Sequence, residues 1–176
     1  LVMLDGVPLN KSGGGGVNWN LLPTGAFEKI EVEKGPGSSM YGNNSMTGTI
    51  NLITGGASEK ERAEADFFIS QFNTQGIGFR FMTPKKIKKP YLWVSLSSMQ
   101  GDGYFLDPKE SRTEYSSKSF LNQYNAYAKA GFQFSDSARI EVSALGSSFR
   151  SGLGTAVYEP NGSYDDYTTY MGSIRY

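Results

Sequence analysis

The sequence predicts a mainly β protein, a small mixed segment followed by antiparallel strands. Three observations carry that expectation. The 176 residues include 22 Gly, 11 Tyr and 11 Phe, a composition suited to short strands and turns and poor for long helices. Hydrophobicity alternates with period two through much of the second half, which puts successive side chains on opposite faces of a sheet. No apolar run approaches the roughly 20 residues that a membrane-spanning helix needs.

Composition also narrows the chemistry. Lys and Arg total 17 against 17 Asp and Glu, so no bulk attraction to nucleic acid is expected. The chain has no His and no Cys, which removes the usual general base, the usual thiol nucleophile, disulfides and every His/Cys metal cage. No catalytic residue, metal ligand or cofactor is therefore expected, and an enzyme is the weakest reading. The chain opens at Leu1 with neither an initiator Met nor a signal segment, and is expected to be a piece of something longer.

The texture changes near Gly55-Gly56-Ala57-Ser58, which sets the expected domains at 1–56 and 57–176. In the first, Leu1 to Leu4 reads as a strand stopped by the turn Asp5-Gly6. Gly13 to Gly16 reads as a mobile loop, because glycine loses the most backbone freedom on ordering. Pro23 suits the start of a short helical turn, Ile30 to Glu33 a short strand, Gly35-Pro36-Gly37 a sharp reversal, and Thr49 to Thr54 another strand.

Six strands are expected in the second domain. Arg62 to Phe72 alternates Ala63, Ala65, Phe67 and Ile69 against Glu64, Asp66, Phe68 and Ser70, with Phe68 the exception. Gly76 to Met82 pairs with it across Asn73-Thr74-Gln75, and Tyr91 to Ser97 follows the basic turn Lys85 to Pro90. From Tyr124, residues Ala126, Ala128, Ala130, Phe132 and Phe134 share one face, and Asn125, Tyr127, Lys129, Gly131 and Gln133 the other. Ile140 to Ala144 and Tyr170 to Tyr176 continue the pattern.

Period two leaves a soluble barrel or sandwich possible, but three details favour lipid. Short connections (73–75, 135–137, and 85–90 on the short-turn side) alternate with long ones (101–121, 150–167), as in outer-membrane barrels, although the first outside connection is short. The fourth strand carries Tyr124 at one end and Phe132 and Phe134 at the other with Ala between; ten steps of roughly 3.3 Å at about 45° rise about 23 Å, close to the ~25 Å lipid band. The opposite faces mix Lys129, Arg139, Glu141 and Arg175, as a wet lumen permits.

One contiguous stretch names a family. Phe27-Glu28-Lys29-Ile30-Glu31-Val32-Glu33-Lys34-Gly35-Pro36-Gly37, through Tyr41-Gly42 to Gly48-Thr49-Ile50-Asn51-Leu52-Ile53-Thr54, closely resembles the end of the plug in TonB-dependent receptors. Leu4-Asp5-Gly6-Val7-Pro8 resembles an upstream segment of the same plug, and Gly101-Asp102-Gly103-Tyr104 the early barrel. The family often has Gly at both positions before the last strand, whereas here Thr47 precedes Gly48.

The resemblance implies a fold, the end of a small mixed α/β plug followed by about six of roughly 22 strands of a transmembrane barrel. It implies a function too: binding a scarce large solute and importing it with force from the inner-membrane TonB complex. That complex would grip a segment before Leu1. Ferric siderophore, haem, cobalamin, oligosaccharide and peptide solutes all stay open. Outer-membrane lipid is the other partner, and nucleic acid is not one. By resemblance, Glu31, Glu33 and Lys34 would dock plug to barrel. Asn10, Ser12, Asn18, Trp19, Tyr41, Asn43 and Asn44 would face the solute, amides and aromatics suiting a neutral or chelated one. A secreted or surface β-domain acting as a binding or adhesion module is the alternative.

Other motifs carry less. Gly35-x-Gly37 is followed by Met40 where a nucleotide turn would need Gly. The pair Asp165-Asp166, and Asp102 with Asp107, read as solvated loop carboxylates rather than acid-base or Ca²⁺ sites. Lys85, Lys86, Lys88 and Lys89 read as a basic periplasmic turn.

Overall fold

The computed structural model describes residues 1–10, 15–35, 45–55, 60–84, 86, 88–135, 137–154 and 164–176. Among the described residues, ten strands form two sheets. The first is four-stranded and mixed, in the order β2-β1-β4-β3, from β1 (Val2–Leu4), β2 (Val7–Pro8), β3 (Phe27–Lys34) and β4 (Gly48–Thr54). β1 runs parallel to β4, and the other pairs are antiparallel. Asp5 and Gly6 both adopt positive φ, 48° and 82°, and close a two-residue hairpin between β1 and β2. Between β2 and β3 the chain makes two 3-10 turns, Trp19–Leu21 and Thr24–Ala26, the second directly after Pro23.

The second sheet is six-stranded and antiparallel, each strand pairing with its neighbour in sequence: β5 (Arg62–Ser70), β6 (Thr74–Met82), β7 (Pro90–Gly101), β8 (Leu121–Gln133), β9 (Arg139–Gly152) and β10 (Tyr164–Arg175). The register places Tyr91, Trp93, Ser95 and Ser97 opposite Gly131, Lys129, Tyr127 and Asn125, all on one face. That polar face is the covered one. Tyr127, Lys129, Asn125, Ser95 and Ser147 are buried, whereas the apolar face leaves Leu96, Tyr124, Val142, Tyr170 and Ile174 exposed. The sheet is inside-out relative to a soluble protein, as lipid on one side and a filled polar lumen on the other require.

Several boundaries differ from the sequence expectation. The first outer connection is a turn over Gln71–Thr74 with Phe72 and Asn73 both at positive φ, so the strands end at Ser70 and resume at Thr74. Phe72 is an unusual residue for that conformation, and its ring packs on Tyr104 at 4.8 Å. β7, β9 and β10 are longer than read, because the apolar-out, polar-in alternation fades along their outer halves, where the outward face of β9 turns to Gly146, Ser148 and Arg150 while its lumen face carries Leu145 and Phe149. Phe68 belongs on the lumen face, where its ring covers Gly76; a Cβ there would collide with it. The glycine run lies only partly among the described residues, and the domain boundary at 56/57 and most of the Gly35-Pro36-Gly37 reversal lie outside them.

Candidate functional site

The four-stranded sheet is fastened to the six-stranded one around one carboxylate. The hairpin turn holds Asp5 beneath the sheet, where it accepts from the Thr54 N–H at 2.9 Å, the Thr54 hydroxyl at 2.6 Å and the Tyr127 hydroxyl at 3.1 Å. Lys129 Nζ lies 3.0 Å from Asp5 Oδ2, with both side chains 8% exposed. Tyr127 and Lys129 sit two apart on β8, hence on the same lumen face. Burial alone would raise the Asp5 pKa. The Thr54 hydrogen bonds and the Lys129 cation outweigh it and hold the carboxyl below its ordinary 3.8. Around this polar centre pack Leu4, Leu22, Ala26, Leu52, Trp93 and Leu145, drawn from both sheets and from the 3-10 turns between β2 and β3. Gly55 lies under the Trp93 indole so closely that a Cβ would clash with the ring.

Two residues singled out in the sequence hold this base together. Gly48 has φ 146°, and a Cβ would lie 2.7 Å from the Glu33 carbonyl oxygen, so the start of β4 demands glycine. Asn51 accepts the Gly6 N–H at 3.0 Å and so braces the hairpin.

The other sequence candidates separate into groups. Glu31, Glu33 and Lys34 lie exposed on β3, the edge of the plug sheet, and Lys29 pairs with Glu31 at 2.6 Å. That Lys29 hydrogen bond lowers the Glu31 pKa. Among the described residues the two sheets meet through Asp5, Thr54, Tyr127 and Lys129, which the sequence reading did not bring together. The signal for Lys129 was its place among the charges of the polar face; Asp5 was marked by the turn and by the Leu4-Asp5-Gly6-Val7-Pro8 segment, with no sign of its partner. Gly35 has φ 112°. Ser12, Pro36, Gly37, Tyr41, Gly42, Asn43 and Asn44 lie outside the described residues.

Asn10 spends its amide internally, accepting the Val2 N–H at 2.8 Å and donating to the Gly15 carbonyl at 2.7 Å. Asn18 caps the first 3-10 turn by accepting the Asn20 N–H at 3.1 Å. Trp19 stays 53% exposed. With Asn18 and Asn20 it borders a 520 Å³ cleft closed on the wall side by Phe149, Asp165 and Tyr167, residues that alternate onto the lumen face of β9 and β10. Gln123 on β8 reaches the Asn20 carbonyl oxygen at 2.5 Å, fixing the loop that carries Trp19. Asp165 and Asp166 point to opposite faces; Asp166 meets Arg150 at 3.9 Å instead of its neighbour.

Residues 1–49 match the family model described as the TonB-dependent Receptor Plug Domain. That match supports reading the chain as a fragment similar to the TonB-dependent receptors. Over 61 residues it is 43% identical to a vitamin B12 transporter, BtuB, of Vibrio vulnificus, covering 35% of this chain and 10% of that protein. A probable TonB-dependent siderophore receptor, PirA, of Acinetobacter baumannii is 30% identical over 81 residues, 40% of this chain and 11% of the relative. The fold matches the ferric-catecholate import receptor Fiu of E. coli K12, with TM-score 0.71 and 15% identity over 98% of this chain and 28% of that one. It also matches the pyoverdine outer membrane receptor FpvA of Pseudomonas aeruginosa PAO1, with TM-score 0.67, 12% identity, and 98% and 26% coverage. The chain spans about 10% of the length of the curated relatives it matches. Its six-stranded sheet has the fold of a stretch of barrel wall in those outer-membrane receptors, and these relatives give no support to an adhesion module.

Proposed function

We propose that this chain is the plug base and first wall segment of a receptor that imports a scarce large solute, with residues 1–56 as plug and 57–176 as wall. One observation carries the reading: the plug sheet fills the polar face of a wall whose other face is apolar. A plugged pore needs energy to open, and the outer membrane has no nucleotide supply, so the force comes from an inner-membrane partner, TonB. No step requires catalysis. Glu31, Glu33 and Lys34, exposed on the plug's edge strand, are available to dock against further barrel wall.

The solute-facing site in this reading is the cleft of Asn18, Trp19, Asp165 and Tyr167, where two rings supply stacking faces and amides supply hydrogen bonds. The kinship to cobalamin and siderophore receptors makes those two solutes the first to test. Cells lacking their own receptors and producing the full-length protein should accumulate labelled cyanocobalamin or a ferric siderophore only when TonB is present. Trp19→Ala should weaken binding by about 1–2 kcal/mol, on the order of tenfold. Uptake independent of TonB, or recovery of the receptor in the soluble fraction, would overturn the reading.

A further inference from the structure

The turn between β6 and β7 carries the sequence Lys85-Lys86-Ile87-Lys88-Lys89, a concentration of positive charge that neither the plug clip nor the solute cleft uses. Lys86, Lys88 and Lys89 are exposed, and among the described residues none of the three is in an ion pair. The described residues of this turn are held by hydrogen bonds. Lys88 has φ 58°, a left-handed conformation that glycine or asparagine would adopt more cheaply, and its N–H donates to the Gln133 carbonyl at 2.7 Å. The Lys89 N–H donates to the Lys86 carbonyl at 3.2 Å. At the turn's base, the Thr83 N–H donates to the Leu92 carbonyl and the Leu92 N–H to the Thr83 hydroxyl.

Depth along the wall decides what these ammonium groups meet. The bond to Gln133 sets the turn beside the end of β8, where Phe132 and Phe134 pack at 5.0 Å and Phe134 and Ile140 are exposed on the lipid face. This is the short-turn, periplasmic end, and these side chains form the lower rim of the apolar band. Cations just below an apolar rim lie at headgroup level, where lysine reaches phosphate while its stem stays on apolar surface.

We propose that this lysine turn binds anionic phospholipid of the inner leaflet, its ammonium groups on the phosphodiesters and the Phe132–Phe134 rim against the acyl chains. The site recognises negative headgroup charge, so phosphatidylglycerol is favoured over zwitterionic phosphatidylethanolamine. It rests on the membrane-facing wall and is independent of which solute the receptor carries.

The test uses the full-length receptor purified from outer membranes, with folding checked by its heat-modifiable gel mobility. Native mass spectrometry after exchange into detergent containing equimolar phosphatidylglycerol and phosphatidylethanolamine counts the lipids retained. At roughly fivefold per lysine, phosphatidylglycerol should be retained on the order of a hundredfold over phosphatidylethanolamine. The preference should collapse toward parity in the Lys86→Gln, Lys88→Gln, Lys89→Gln triple variant and persist when the same positions are changed to Arg. Equal retention of both lipids by the unmodified receptor would overturn the proposal, as would a triple Gln variant that keeps the preference or capture of a periplasmic protein by the turn with no lipid preference.

Discussion

At the residue scale, the clip at Asp5 sets how firmly this plug sits. A buried carboxylate is tolerated because three donors and one cation converge on it; without Asp5 the Lys129 cation and the Thr54 N–H lose this acceptor, while the Thr54 and Tyr127 hydroxyls keep each other at 2.9 Å. Lys129→Met should strand the Asp5 charge and cost about 3–5 kcal/mol of plug–wall stability. Urea titration of the full-length receptor, followed by hydrogen exchange at Val2–Leu4 and Leu52–Thr54, measures this. The double change Asp5→Leu with Lys129→Met should cost less than the sum of its singles, since it removes both buried charges. The pH response has a definite sign. The folded pKa of Asp5 lies below its ordinary 3.8, so its contribution is fully present above that value and is lost as pH falls through the depressed one. Exchange at Thr54 should therefore be protected through neutral and mildly acidic pH and rise only below 3.8; protection lost already near pH 6 would refute the depressed value.

At the scale of the element, β8 shows how one strand serves two solvents. Its even-numbered face offers Ala126, Ala128 and Ala130 to lipid, and its odd-numbered face gives Asn125, Tyr127 and Lys129 to the plug. Ala128 lies between Val94 and Ala144 in the register, in the middle of the apolar band. Ala128→Arg should thus lower barrel stability by about 2–4 kcal/mol, measured by reversible unfolding in lipid vesicles. Unchanged stability would place that face away from the bilayer. β4 has a different constraint: its first residue pairs with Lys34 at a φ that only glycine tolerates, which explains why Gly48 stands there although Thr47 precedes it.

For the whole molecule, the sheet order β10-β9-β8-β7-β6-β5 leaves β5 and β10 each with an unpaired side among the described residues. Unpaired backbone groups have no partners in hydrocarbon, so these 176 residues expressed alone should stay outside lipid vesicles, protease-sensitive along β5 and β10. Stable, protease-resistant insertion of the isolated chain would contradict that.

The sequence by itself determined the period-two strands, their lipid and lumen faces, the order of short and long connections, and the plug motif, because alternation and turn chemistry are local properties. It also placed Trp19 and Asn18 on one loop. Only the tertiary structure decided that Asp5 and Lys129, 124 positions apart, share one buried site, that Asn10 is consumed within the plug, and that Glu31, Glu33 and Lys34 lie on an exposed edge. It also explained Phe68 and Phe72, which break local rules because each answers to a distant partner, Gly76 across the sheet and Tyr104 in the next loop. The physical reason is common to all of these. A strand's pattern records which face is wet, whereas the partner across a lumen is set by register and packing, which no local pattern encodes.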